Sequence, residues 1–64
     1  MDKQKLLSMD PYILLSIINM KLRDEFSSLA DLCSNYGMKA EELENKLNSI
    51  EYRYNQQTNQ FTGI

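Results

Sequence analysis

SSLADLCSNYGMKAEELENKL, residues Ser27–Leu47, sets two helical patterns on either side of a single glycine. Ser28 with Asp31 three residues later has capping-box spacing, aspartate standing in for the usual glutamate, and Leu29, Leu32, Cys33 and Tyr36 form one apolar stripe behind it. This predicts a short helix over Leu29–Tyr36. Gly37 suits the left-handed position just past a helix end, from which Met38 packs back on Cys33. A second helix restarts near Lys39: Leu43, Leu47 and Ile50 recur at spacings of four and three, and Glu42 and Lys46 are placed for an i,i+4 ion pair. A small residue at Cys33, a glycine four positions on and an inward Leu43 satisfy the packing of a helix-turn-helix. The question this raises is whether the second helix reads DNA.

Working outward, Asp10-Pro11 marks an earlier helix start, because aspartate accepts from the first unpaired amides and proline fits a position whose N–H has no helical partner. Met9 and Leu14 are spaced for a hydrophobic staple across that entry. The helix runs through YILLSIINMKLRDEF, with Leu14, Ile17, Ile18, Leu22 and Phe26 on one face. Tyr12, Ile13, Leu15 and Met20 make its first half apolar nearly all round, so it is either the central helix or lies against a second chain. On the other side of the opening stretch, Tyr52 and Tyr54 alternate with Arg53, and polar NQQTN precedes Phe61. That pattern predicts a short hairpin, or wing, with Tyr54 and Phe61 leaning on the helices. The fold expected is mainly α: a compact trihelical, helix-turn-helix-like domain over residues 10–64 with a C-terminal β-hairpin. Residues 1–9 are expected to be a flexible or amphipathic lead-in.

Size and composition bound what such a domain can do. A chain of 64 residues is one domain, and at this length folding buries only about 60% of the surface the unfolded chain exposes, which leaves little room for an enclosed cleft. Apolar residues make up 42% and charged residues 25%, too apolar for disorder. The one cysteine, Cys33, allows no internal disulfide and fits a reducing compartment. The longest apolar stretch, Tyr12 to Met20, is broken by Ser16 and Asn19 and falls short of the ~20 residues of a membrane span. Lys3 and Lys5 before Leu6 and Leu7 outline the start of a signal peptide, but Asp10-Pro11 interrupts it and no small-residue cleavage site follows. A cytoplasmic protein is expected.

The stretch DPYILLSIINMKLRDEFSSLADLC, the LENKLNSI helix and YRYNQQTNQF together resemble a family of short bacterial proteins, domain of unknown function 4250. LLSIINMKLRD followed by SLADLC is the more specific part. Where the family pattern has a glycine just before the first tyrosine of the tail, this chain has Glu51. The resemblance implies no activity, since the family has none assigned.

Catalysis finds no support in the residues. Histidine is absent, so the commonest general base near neutral pH is missing, and no nucleophile and base can be paired. Cys33, on the buried stripe, reads as a small core hydrophobe. Glu41, Glu42 and Glu44 project in different directions from one and a half turns of helix and have no glycine turn to make a calcium loop. No catalytic residue, metal ligand, cofactor or small-molecule substrate is expected.

Two binding readings remain. Residues 1–23 carry a net charge of +2, residues 24–51 carry −5, and Arg53 adds +1, so the presumed helix-turn-helix is the acidic part. Glu41 and Glu42 at the head of a recognition helix repel a duplex that carries about one charge per 1.7 Å. The pI of 4.9 is far from the value above ~9 that marks a DNA-binding footprint. If the chain binds DNA, the contacts expected are Lys21, Arg23, Lys39, Asn45, Lys46 and Arg53, with Tyr52 stacking; ordinary surface solvation accounts for the same residues. The favoured reading is a binding or regulatory module that meets a protein partner or a second copy of itself through Leu6, Leu7, Tyr12, Ile13, Leu15 and Met20.

Overall fold

The computed structural model describes residues 3–64. Four helices precede a hairpin: α1 (Lys3–Ser8), α2 (Pro11–Asp24), α3 (Leu29–Tyr36), α4 (Ala40–Asn48), β1 (Tyr52–Asn55) and β2 (Gln60–Gly63). The mainly α expectation holds, with one helix more than the sequence reading provided.

That helix is α1, which occupies most of the stretch read as a lead-in; residues 1 and 2 of that stretch lie outside the described residues. Six residues cannot sustain a helix in water by propensity alone. Tertiary contacts hold it instead: Leu6 is fully buried, and Lys3 reaches Glu42 on α4 at 3.1 Å. Glu42, spaced for an ion pair with Lys46, thus serves to tie α1 to α4.

The start of α2 follows the sequence closely. The Asp10 carboxylate accepts from the N–H groups of Tyr12 (3.0 Å) and Ile13 (3.2 Å), with Pro11 in the first turn. Leu14, Ile18 and Leu22, spaced by four, face the core. The helix closes two residues before Phe26, where the N–H groups of Glu25 and Phe26 both turn back to Lys21 O.

Ser28 caps α3 through its hydroxyl, which accepts from Asp31 N–H at 3.1 Å. At the other end Gly37 has φ 69°, its N–H bonds Ser34 O, and Met38 N–H bonds Cys33 O at 3.0 Å. This is the Schellman pattern of bonds, and it buries Met38 beside Cys33 in the core. Three residues, Gly37 to Lys39, connect α3 to α4, which buries Leu43 and Leu47. Glu41 and Glu42 in the first turn of α4 suit the positive end of its dipole.

A second left-handed residue ends the turn after α4: Glu51, φ 65°. Glycine adopts that conformation without the steric cost a side chain carries, so Glu51 holds a strained position at the end of the turn.

The hairpin pairs Tyr52 with Gly63, Arg53 with Thr62, Tyr54 with Phe61 and Asn55 with Gln60. Tyr54 and Phe61, rings 5.5 Å apart, turn toward the helices. β1 packs along α4 and β2 along α2. The core is a single apolar cluster built from Leu6, Leu14, Ile18, Leu32, Leu43, Leu47 and their neighbours, closed from below by Phe61.

Candidate functional site

Because Asp10 and Pro11 fix where α2 begins, they also fix which way each of its side chains points. Leu14, Ile18 and Leu22 go inward. Leu15, a candidate contact from the sequence, is half-buried against the core. Tyr12 (61% exposed), Ile13 (58%) and Met20 (45%) point outward on one arc, with exposed Ser16 between them.

Of the other apolar candidates, Leu7 on α1 is half-buried. Leu6 is fully enclosed: it stabilises the domain and presents nothing to a partner. The outward surface is therefore narrower than the sequence suggested and belongs to α2.

The side of α2 next to that arc is occupied by the hairpin, and here the contacts are polar. The Asn19 amide donates to Phe61 O (3.0 Å) and accepts from Phe61 N–H (2.7 Å), so one side chain satisfies both outward backbone groups of a β2 residue as a neighbouring strand would. Gln60 donates to Asn19 O at 3.0 Å. Asn59, left-handed at φ 54°, donates to Leu22 O (2.9 Å), in the last turn of α2 where carbonyls lose their helical partners, and to Phe26 O (3.0 Å) in the loop that follows. The Tyr54 hydroxyl donates to Asn59 Oδ1 (2.6 Å) and accepts from Leu29 N–H (3.2 Å) at the head of α3. One hairpin thus caps the end of α2 and the start of α3 together. Among the described residues no buried side-chain N or O lacks a partner.

The residues considered for nucleic acid are distributed over α2, α4 and β1 and the loop before α4. Lys21 is committed internally: its Nζ lies 3.2 Å from Glu25 and 5.9 Å from the centre of the Tyr36 ring. Tyr36, and after it Glu25, hold its ammonium above the ordinary lysine range. Arg23 forks onto Asp24 through Nε (2.9 Å) and Nη2 (3.0 Å). That pairing raises the guanidinium and lowers the carboxylate. Lys39 and Asn45 are exposed, Lys46 is half-buried, Arg53 is exposed on β1, and Tyr52 packs against the core. Beside Arg53 the outer face of the hairpin forms an open groove of about 360 Å³, with Gln57, Thr62 and Ile64 among its walls.

Cys33 is buried and burial pushes its thiol up, with Glu44 and Glu42 adding in the same direction. It carries none of the cationic surroundings that activate a thiolate. Among the described residues no group of three or more Cys, Asp or Glu side chains is placed to hold a metal ion, and no helix is long and apolar enough to cross a membrane.

Sequence reasoning did not find the amide network. Its signal was present: Asn19 interrupts an apolar run on a helix side, and Asn59 and Gln60 directly precede Phe61. Each residue has a commonplace reading as surface, and only the fold brings them to one seam.

A mainly α domain of four helices with a hairpin stapled to their side, offering one apolar arc to the outside, is the class of protein these observations define. The family model for Domain of unknown function (DUF4250) matches residues 8–61. The chain belongs to that family. No curated protein and no solved structure matches it.

Proposed function

We propose that the protein is a non-catalytic binding or regulatory module that works through protein–protein contact, with the outward arc of α2 as its docking surface. The observation that carries this reading is the exposure of Tyr12, Ile13 and Met20 on one side of one helix. Large aromatic and aliphatic side chains left in water on a single face supply the apolar anchors from which protein interfaces are built. The absence of histidine from the chain and a thiol kept protonated in the core support a role without catalysis. A single cysteine, which can form no internal disulfide, also supports a cytoplasmic setting.

Affinity capture from the native host tests it. The wild-type chain is expected to retain a protein that an Ile13→Lys, Met20→Lys variant releases; retention of the same proteins by both chains overturns the assignment of the arc.

A DNA-binding regulator is the second reading, favoured by the connection of α3 to α4 through Gly37, Met38 and Lys39 followed by a wing-like hairpin. The internal pairing of Lys21 and Arg23 and the acidic head of α4 count against it. Mobility shift on mixed duplex at low salt is expected to show no complex. A complex that weakens steeply as salt rises would reverse the ranking.

A further inference from the structure

The outward arc of α2 has a pattern that narrows what can cover it. Tyr12, Ser16 and Met20 stand at i, i+4 and i+8, a single ridge with a notch at its centre, and all three are exposed. Ile13 lies beside the ridge toward its start and Arg23 toward its end. Ridges of this i±4 kind pack into one another at a crossing angle of about −50°, and a small residue at the crossing lets the two backbones approach.

We propose that the arc is covered by the same arc of a second copy of this chain, the two α2 helices running antiparallel with Ser16 at their crossing. This rests on the reading of that arc as a docking surface. Self-complementarity is the argument. With a rise of about 1.5 Å per residue, Ile13 lies about 4.5 Å before Ser16 and Met20 about 6 Å after it. A twofold axis at Ser16 therefore lays each Ile13 on the second copy's Met20. The same axis brings Tyr12 to the second copy's Arg23, whose guanidinium has one edge taken by Asp24 and its flat face free to stack on the ring. The helix dipoles, with the bulk of the Arg23–Asp24 pair, select the direction. Parallel helices would set the two Arg23 groups together, whereas antiparallel helices send them to opposite ends and oppose the helix dipoles. One crossing of two 14-residue helices spans less than the roughly 800 Å² per partner of a standard interface, so a weak pair is expected, with a concentration-controlled exchange between monomer and dimer.

The test uses the full chain in light scattering after size exclusion, from about 10 μM to about 1 mM, a span that brackets such an affinity. A dimer that forms with rising concentration is expected. Under mild oxidation Ser16→Cys should cross-link many times faster than Ser34→Cys, which sits exposed on α3, while wild type, its thiol buried, should not. Ile13→Lys should raise the dimer Kd about tenfold or more with an unchanged circular dichroism spectrum. A monomer throughout, or equal cross-linking from the two cysteine positions, overturns the pairing. A monomer whose Ile13→Lys variant still loses a captured host protein fails the pairing and leaves the docking surface standing; a dimer indifferent to Ile13→Lys fails the pairing, and fails the docking surface as well when wild type and variant retain the same host proteins.

Discussion

The hairpin and the outward arc of α2 reverse what their compositions suggest. NQQTNQ is polar, yet the hairpin it closes is bound to the helices through Asn19, Tyr54, Asn59 and Gln60. Tyr12, Ile13 and Met20 are apolar and stand in water. The difference lies in geometry. Amide side chains pair with backbone groups that helix ends and strand edges leave over, and such groups are costly to bury unpaired. An apolar side chain has no comparable claim on a particular neighbour, and a small domain has too little interior to enclose all of them.

Breaking the packed side should cost most. Leu6→Ala is expected to destabilise the domain by about 3 kcal/mol in urea denaturation, as a fully buried leucine does; a loss below ~0.5 kcal/mol would make α1 an ornament on the core. Next comes the seam. Asn19→Ala strips both backbone groups of Phe61 of their partners, at a cost of about 2 kcal/mol, and should raise the exchange rate of the Phe61 amide well above that of Ile18.

Asn19→Asp sharpens the same point through pH. An ionised carboxylate at this position still accepts from Phe61 N–H but meets the Phe61 carbonyl without a proton, whereas the neutral acid can donate to it. The folded state then holds the proton more tightly than the unfolded chain. The recovered stability is full below the unfolded value of about 3.9 and is lost as pH rises through the higher folded value, a trend that wild type lacks at this position.

Smaller effects follow. Tyr54→Phe removes the hydroxyl that caps Leu29 and should cost about 1 kcal/mol, with faster exchange at the Leu29 amide. Glu51→Gly should stabilise by about 0.5 kcal/mol, the relief of a left-handed side chain offset in part by the greater freedom of glycine in the unfolded chain. Smallest of all, Ile13→Ser on the bare arc, measured on chain dilute enough to be monomeric, should leave the midpoint within about 0.5 kcal/mol of wild type; a larger loss at that dilution would show that the arc is already covered within one chain.

Much of the fold was legible because local chemistry decides it. Asp10-Pro11, Ser28 and Gly37 each state a helix boundary, and the structure places one at each. The hairpin was legible from the alternation of Tyr52, Arg53 and Tyr54. α1 was not, since a six-residue helix depends on where Leu6 and Lys3 find partners, and those partners lie on distant elements. On the candidate surface, periodicity identified Tyr12, Ile13 and Met20 but could not separate them from Leu6, whose neighbours at Leu7 and Met9 give the same apolar signal. The seam was illegible for a related reason: Asn19 and Phe61 are 42 residues apart, beyond any local pattern.

That separation has a consequence for how the chain reaches its native state. The carbonyls at the end of α2 and the first amide of α3 receive their partners from Asn59 and Tyr54, which leave the ribosome only after both helices have been synthesised. Helices α2 and α3 can form early, but their junction stays open to water and to proteases until the hairpin arrives. Completion of the domain is therefore a late, long-range closure in a chain whose other contacts are mostly local.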